Sequence, residues 1–227
     1  MNQAKIWDYY QSEGVDNFND AIPRLKYLFY RANKIAGNNI PTILNVGYGN
    51  GWIEKECVKH NWNVFSLDPS HKPDIKNNTI NFVSGTLENS PFFDEQFDIV
   101  FCSEVLEHLD NDQLVDGVAE IKRILKKGGV LIGTVPFKEN LTDNMVVCPG
   151  CAVKFHRWGH HQEFDKRKLG ERFEINELTI IDLKSKVFRD YTKNTPSNII
   201  KYIIRLALNF FGSTSIYSNL FFMVTKK

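Results

Sequence analysis

What this chain lacks narrows its class before any motif is read. None of its apolar runs is long enough to span a bilayer. Its 28 Lys and Arg are offset by 27 Asp and Glu, leaving a formal net charge of +1. Without a large positive field, a nucleic-acid partner is disfavoured. Only four cysteines occur, Cys57, Cys102, Cys148 and Cys151, and only the last two are close together. The opening MNQAKIWDYYQSEG lacks the basic start and apolar middle of a secretory signal, so the expected location is the cytoplasm. There the close cysteine pair suggests metal or redox chemistry before a structural disulfide. No internal repeat or low-complexity linker interrupts the chain.

What is present reads as one globular domain. The 227 residues are 42% hydrophobic and 24% charged, enough for a substantial core and short for two. A helix is expected up to about Ala36, with Ile22, Leu25, Leu28 and Phe29 at helical spacing after Asp20 and an early Pro23. Short apolar runs then alternate with amphipathic segments: TILNVG, NVFSLD, INFVSG, FDIVFCS and GVLIGTVP. WIEKECVKH and LVDGVAEIKRILKKGG lie among them as helices, the second expected to end at its glycine pair. That alternation predicts an α/β fold with a doubly wound parallel sheet. LTIIDLKSKVFRD and NLFFMVTKK add two strands around the helical NIIKYIIRLALNFFG, consistent with a closing antiparallel pair. The organisation expected is a helical cap over 1–40, a cofactor core over 41–136, a Cys/His-rich lid over 137–175 and C-terminal strands and helix over 176–227.

ILNVGYGNG sets a buried strand against three glycines. Gly47, Gly49 and Gly51 can adopt positive φ and let a ligand approach the backbone at a helix N-terminus. Asp68 ends the next strand, 17 residues after Gly51. It is placed either to accept both ribose hydroxyls of an adenosine cofactor or to cap the turn before Pro69. Glycines and carboxylate together favour an adenosine-containing cofactor. GYGNG lacks the third glycine of a dinucleotide fingerprint at its proper spacing.

LNVGYGNG, FSLDPS, SGTLENSPFFDEQFDIVFCSEVLEHL and LKKGGVLIGTVP, in that order, resemble the class I S-adenosylmethionine-dependent methyltransferases. The resemblance runs from about Pro41 to Pro136. It implies a Rossmann-like sheet of seven strands, mostly parallel with the last antiparallel, and S-adenosylmethionine as methyl donor. It places Asn45, Gly47, Gly49, Gly51, Asp68, Thr86, Leu87 and Ser103 around that cofactor. Two positions depart from the family pattern. Asn45 stands where Asp or Glu is usual, and Thr86 stands where Asp is frequent; each retains an acceptor but brings no charge.

SEVLEHL follows the fourth strand and puts Glu104, Glu107 and His108 at the strand end, where α/β folds place their sites. On one helical turn Glu104 and Glu107 would share a face. Two carboxylates and an imidazole suit Mg²⁺, Mn²⁺ or Fe²⁺; the alternative is a helix-start acid with a packing or acid/base histidine. Metal-dependent methyltransferases of small-RNA ribose 2′-hydroxyls carry a similar Glu-x-x-Glu-His motif and a later histidine. Here that later residue would be His160 or His161 of FHRWGHHQEFD. The resemblance implies a catalytic cation on Glu104, Glu107, His108 and His161.

CPGCAVKFHRWGHH crowds Cys148, Cys151, His156, His160 and His161 into a short stretch. The ligand types suggest structural zinc on Cys148, Cys151, His156 and His160, bracing the lid. A reduced surface CxxC with unrelated histidines is the alternative, and a redox pair a third. The late helix presents Ile199, Ile200, Ile203, Ile204, Leu206, Leu208 and Phe211 as an apolar surface. It packs within the domain, in a dimer, or peripherally on a membrane over 198–212. The expected activity is O-methylation of a small molecule or glycan intermediate. An RNA 3′-end 2′-O-methyltransferase and a non-catalytic, zinc-braced cofactor-binding protein are the alternatives.

Overall fold

In chain order the elements of the computed structural model alternate as the sequence pattern requires. The described residues are 20–69, 79–188, 195–210 and 218–227; the first half of the expected N-terminal cap lies outside them. The elements are α1 (Ile22–Ala36), β1 (Thr42–Val46), α2 (Trp52–Lys59), β2 (Asn63–Asp68), β3 (Ile80–Ser84), β4 (Phe97–Ser103) and α3 (Asn111–Ile124). Then come β5 (Leu125–Pro136), β6 (Met145–Val147), β7 (Lys154–His156), α4 (Lys166–Ile175), β8 (Leu178–Val187), α5 (Pro196–Phe210) and β9 (Ser218–Lys226).

Seven strands form one sheet in the order β3-β2-β1-β4-β5-β9-β8, and β6 and β7 pair as a separate small ribbon. Strands β1 to β5 pair in parallel, whereas β9 runs antiparallel to both β5 and β8. The mostly parallel sheet with an antiparallel last strand is therefore as expected. Period-two alternation divides each central strand between two cores. Ile43, Ile99, Phe101 and Ile132 pack with Leu28, Phe29, Ile53 and Cys57 on the α1/α2 face. Leu44, Val46, Val100 and Leu131 pack with Val118, Ile121, Leu169 and Phe173 on the α3/α4 face.

Local chemistry sets the helix ends. α3 opens on a capping box: Asp110 accepts from the Gln113 amide and the Gln113 side chain accepts from the Asp110 amide. It stops at Ile124 rather than at the Gly128–Gly129 pair, because Leu125 already belongs to β5 opposite Phe97. α1 starts one residue later than an Asp20 cap would give, with Ala21 at the cap and no side-chain bond there.

The parallel strands end together on one edge, and three connections matter there: the turn after β1, the turn after β4 and the long excursion after β5. The excursion leaves at Phe137, makes the β6–β7 ribbon and returns at Phe164, which bridges back to Phe137. Among the described residues no helix is long and apolar enough to cross a membrane.

Candidate cofactor and acceptor site

β1 ends at Val46, and the chain then turns back over the sheet edge. Gly47, Gly49 and Gly51 have φ of 83°, 54° and 69°, the left-handed region that disfavours side chains. A β-carbon on Gly47 would lie 3.0 Å from Val105 Cγ2, so the turn after β1 rests directly on the turn after β4. Asp68, almost buried at the end of β2, accepts the Tyr48 amide at 2.8 Å. It anchors the glycine turn and stays beside it.

Asn45 is buried and fully used on its donor side. Nδ2 donates to Glu54 Oε1 at 2.7 Å and to the Gly47 carbonyl at 3.0 Å. Glu54, inaccessible on α2, also accepts from Ser66 Oγ at 2.7 Å, while its Oε2 has no partner. Burial pushes the Glu54 carboxyl up to about 7 despite those two hydrogen bonds. An Asp at position 45 would set a second carboxylate against Glu54, with mutual repulsion in a dry environment. An amide there removes the conflict. The acid has moved from the strand to the helix beneath it, and Asn45 Oδ1 remains as an acceptor. Glu54 was missed in the sequence because it looks like a routine first-turn acid; it lies among the buried Ile53 and Cys57.

After β4 the chain reverses at Glu104, whose φ is +56°. That conformation breaks the helical spacing expected for Glu104 and Glu107 on one face. Glu104 turns instead toward β9 and α1: it accepts from Asn219 Nδ2 at 3.0 Å and lies 3.9 Å from Arg24 Nη1. A short 3₁₀ turn, Leu106–His108, then carries Glu107 inward. Glu107 is inaccessible and neither carboxylate oxygen has a hydrogen-bond partner. Burial, and then the Glu104 carboxylate, hold its pKa well above the ordinary range.

The excursion after β5 docks on this turn through backbone. The amides of His161 and Gln162 donate to the Glu107 carbonyl at 2.7 and 3.1 Å. His108 Nδ1 faces the Gly159 carbonyl at 3.3 Å, and burial followed by the neighbouring His160 lowers its pKa to about 3. His160 Nδ1 meets Glu139 Oε2 at 2.5 Å. Ligand-type atoms of Glu107, His108 and His160 all lie within 4.8 Å of one another, as do those of Glu139, His156 and His160.

These groupings differ from two expected ligand sets. The expected cation set Glu104, Glu107, His108 and His161 loses Glu104, for the backbone reason above. It also loses His161, whose side chain is exposed while its amide holds Glu107; His160 takes the inward place. The expected zinc set also separates. Cys148 and Cys151 belong to neither grouping. They form the tip of the β6–β7 ribbon, where the Ala152 amide donates to the Cys148 carbonyl and the Cys148 amide to that of Val153. His156 pairs with Met145 at the far end of that ribbon. A strand that rises about 3.3 Å per residue carries it away from the tip. The Cys148 thiol is drawn below its ordinary pKa by the amides of Cys151 and Gly150.

Residues 44–133 match the family model described as a methyltransferase domain. Over that segment, less than half of its length, the chain is similar to methyltransferase domains. Over 158 residues it is 29% identical to the mitochondrial ubiquinone biosynthesis O-methyltransferase of Dictyostelium discoideum, covering 62% of this chain and 47% of that one. Over 101 residues it is 32% identical to the ubiquinone biosynthesis O-methyltransferase of Rickettsia bellii, covering 41% of each. The chain thus spans about half the length of the curated relatives it matches. In fold it is similar to the 1,6-didemethyltoxoflavin-N1-methyltransferase of Burkholderia thailandensis, solved with bound 1,6-didemethyltoxoflavin and S-adenosylhomocysteine. The TM-score is 0.69 at 15% identity, over 99% of this chain and 88% of that one.

Within residues 44–133 the other expected cofactor positions fall on the same edge. Thr86 and the buried Leu87 follow β3, and Ser103 ends β4 with its Oγ bonded to Thr134 Oγ1 and receiving Arg24 Nε at 3.1 Å. Glu139, which sequence reasoning overlooked, lies between an apolar strand end and a polar turn with no motif to mark it.

Proposed function

We propose that this protein transfers the methyl group of S-adenosylmethionine to a hydroxyl oxygen of a small molecule or glycan intermediate. The observation that carries the reading is the contact of Gly47 with Val105. It brings the glycine cradle against the segment that bears Glu107 and His108. The cradle suits the cofactor: Gly47 and Gly49, left-handed and half-buried, carry no side chain to fill the turn, Asp68 is held beside them, and Asn45 offers a neutral acceptor.

The acceptor side fits a divalent cation, because Glu107 is a buried acid with two unpartnered oxygens facing two imidazoles. Glu107, His108 and His160 would hold it. When bound, it would supply Lewis acidity that lowers the pKa of an acceptor hydroxyl. The chain's own residues align the oxygen, methyl carbon and sulfur and exclude water. The oxygen attacks the methyl carbon, the carbon–sulfur bond breaks with its electron pair on sulfur, and the hydroxyl proton is taken up within the cluster.

In this reading residues 137–175 form the lid over the acceptor. Cys148 and Cys151 brace its tip, with zinc only if further ligands come from elsewhere. The half-exposed Ile200, Ile203 and Ile204 of α5 suit a peripheral membrane or protein contact, and a cytoplasmic location accords with the reading. Of the residues on which the likeness to RNA 2′-O-methyltransferases rests, Glu104 lies outside the cation grouping and His160 within it; the net charge of +1 supports the small-molecule reading.

The test is methyl transfer from labelled S-adenosylmethionine to a panel of phenols, sugars and short RNAs, with and without Zn²⁺ or Mn²⁺. Labelled hydroxyl-bearing small molecules are expected. Cofactor binding with no transfer to any acceptor would favour a non-catalytic binding protein.

A further inference from the structure

The two groupings of potential ligands share His160, and hydrogen bonding distinguishes their roles. A carbonyl can only accept, so the 3.3 Å contact with Gly159 O puts a proton on His108 Nδ1. In the neutral ring that leaves the lone pair on Nε2. For His160, Nδ1 faces the Glu139 carboxylate. A carboxylate accepts, so Nδ1 carries the proton, and in the neutral tautomer the lone pair lies on Nε2.

His156 is set the other way round. Its Nδ1 accepts the His160 amide at 3.1 Å, so its neutral ring carries the proton on Nε2. That atom is buried without a hydrogen-bond partner and lies 3.6 Å from Glu139 Oε1. A protonated nitrogen is no ligand. His156 thus presents a donor to Glu139, while Asn144 Nδ2 donates to the same oxygen at 3.2 Å.

We propose that Glu139 is a positioning residue rather than a metal ligand: it fixes the proton on His160 Nδ1 so that Nε2 joins Glu107 and His108 in a single two-histidine, one-carboxylate cation site. The inference rests on the cation reading given above. A ligating histidine whose second nitrogen donates to a carboxylate is held in orientation and made more basic. The chemical class of the ion is a divalent first-row metal that accepts imidazole nitrogen, such as Zn²⁺, Fe²⁺ or Co²⁺.

The test uses the full chain stripped with chelator and titrated with Co²⁺, followed by visible absorption and by calorimetry. Wild type is expected to bind one ion. Glu107→Ala should abolish the absorption bands. Glu139→Gln should keep one ion and the same band positions, with affinity lower by about 10–100-fold, and Glu139→Asp should recover part of the loss. S-adenosylhomocysteine binding, measured alongside, should stay unchanged in all three variants and so report an intact fold. Unchanged Co²⁺ affinity in Glu139→Gln would overturn the positioning role alone. Two ions in wild type with one lost in Glu139→Gln would make Glu139 a ligand and also overturn it. No uptake by wild type would overturn it together with the cation reading, leaving the methyltransferase reading to stand on cofactor binding.

Discussion

The turn after β1 and the excursion after β5 meet over the same sheet edge, yet they are held by different forces. The first is fixed by backbone conformation: three glycines at positive φ, closed by one buried carboxylate on one amide. The second is fixed by side chains and carbonyls that meet across more than twenty positions of sequence, as in His160 on Glu139 and His161 on Glu107. A backbone cradle tolerates changes in its surroundings but not in its own residues. A side-chain cluster depends on every connection that brings its members together. The two regions should therefore fail in separate ways.

The largest expected effect is on the cradle. Gly47→Val puts a β-branched side chain at φ +83° and against Val105. S-adenosylhomocysteine binding by calorimetry should weaken at least about 100-fold, equivalent to about 3 kcal/mol, with Co²⁺ uptake retained. Retained cofactor affinity would mean that the glycines do not form the binding surface.

Nearly as large is the pH effect beneath the cradle. Burial raises the Glu54 carboxyl from 4.5 to about 7. Between those values the folded chain binds the proton and the unfolded chain does not, so stability falls as pH rises from about 4.5 to 7. The total change is about 3 kcal/mol. Glu54→Gln should remove that slope in urea unfolding at pH 5 and pH 8. An unchanged slope would remove Glu54 from the account of Asn45.

At the acceptor end, sign rather than size is decisive. Glu107 is a buried acid without a partner, which costs about 1–3 kcal/mol. Glu107→Met should therefore stabilise the metal-free protein by up to that amount while abolishing methyl transfer. Destabilisation would show that Glu107 holds structure rather than function. The smallest effect is expected at the ribbon tip. Cys148→Ser should alter stability by less than about 0.5 kcal/mol and leave Co²⁺ affinity at the histidines unchanged. Loss of the ion would reinstate a mixed cysteine–histidine site.

Legibility in the sequence follows the same division. The central strands β1, β4 and β5 could be found from their apolar runs because they are largely buried on both faces, whereas the edge strands β3 and β8 mix apolar residues with exposed and half-buried polar ones. The three glycines and Asp68 could be found because a tight turn at positive φ, closed by one carboxylate on an amide, needs those residue types. Glu104 could not be placed, since a positive φ at a glutamate has no signature in composition. His160 and His161 could not be told apart either: adjacent residues point in different directions, and only the docking of their backbone on Glu107 selects one.

By itself, then, the sequence determined the sheet, its helical layers and the glycine edge, because periodicity and backbone permissiveness are local properties. Only the tertiary structure decided which acid answers Asn45, which histidine turns inward and that Glu139 stands behind it. Those choices depend on burial and on hydrogen bonds between distant segments. Neither exists until the segments after β1, β4 and β5 converge on one edge of the sheet.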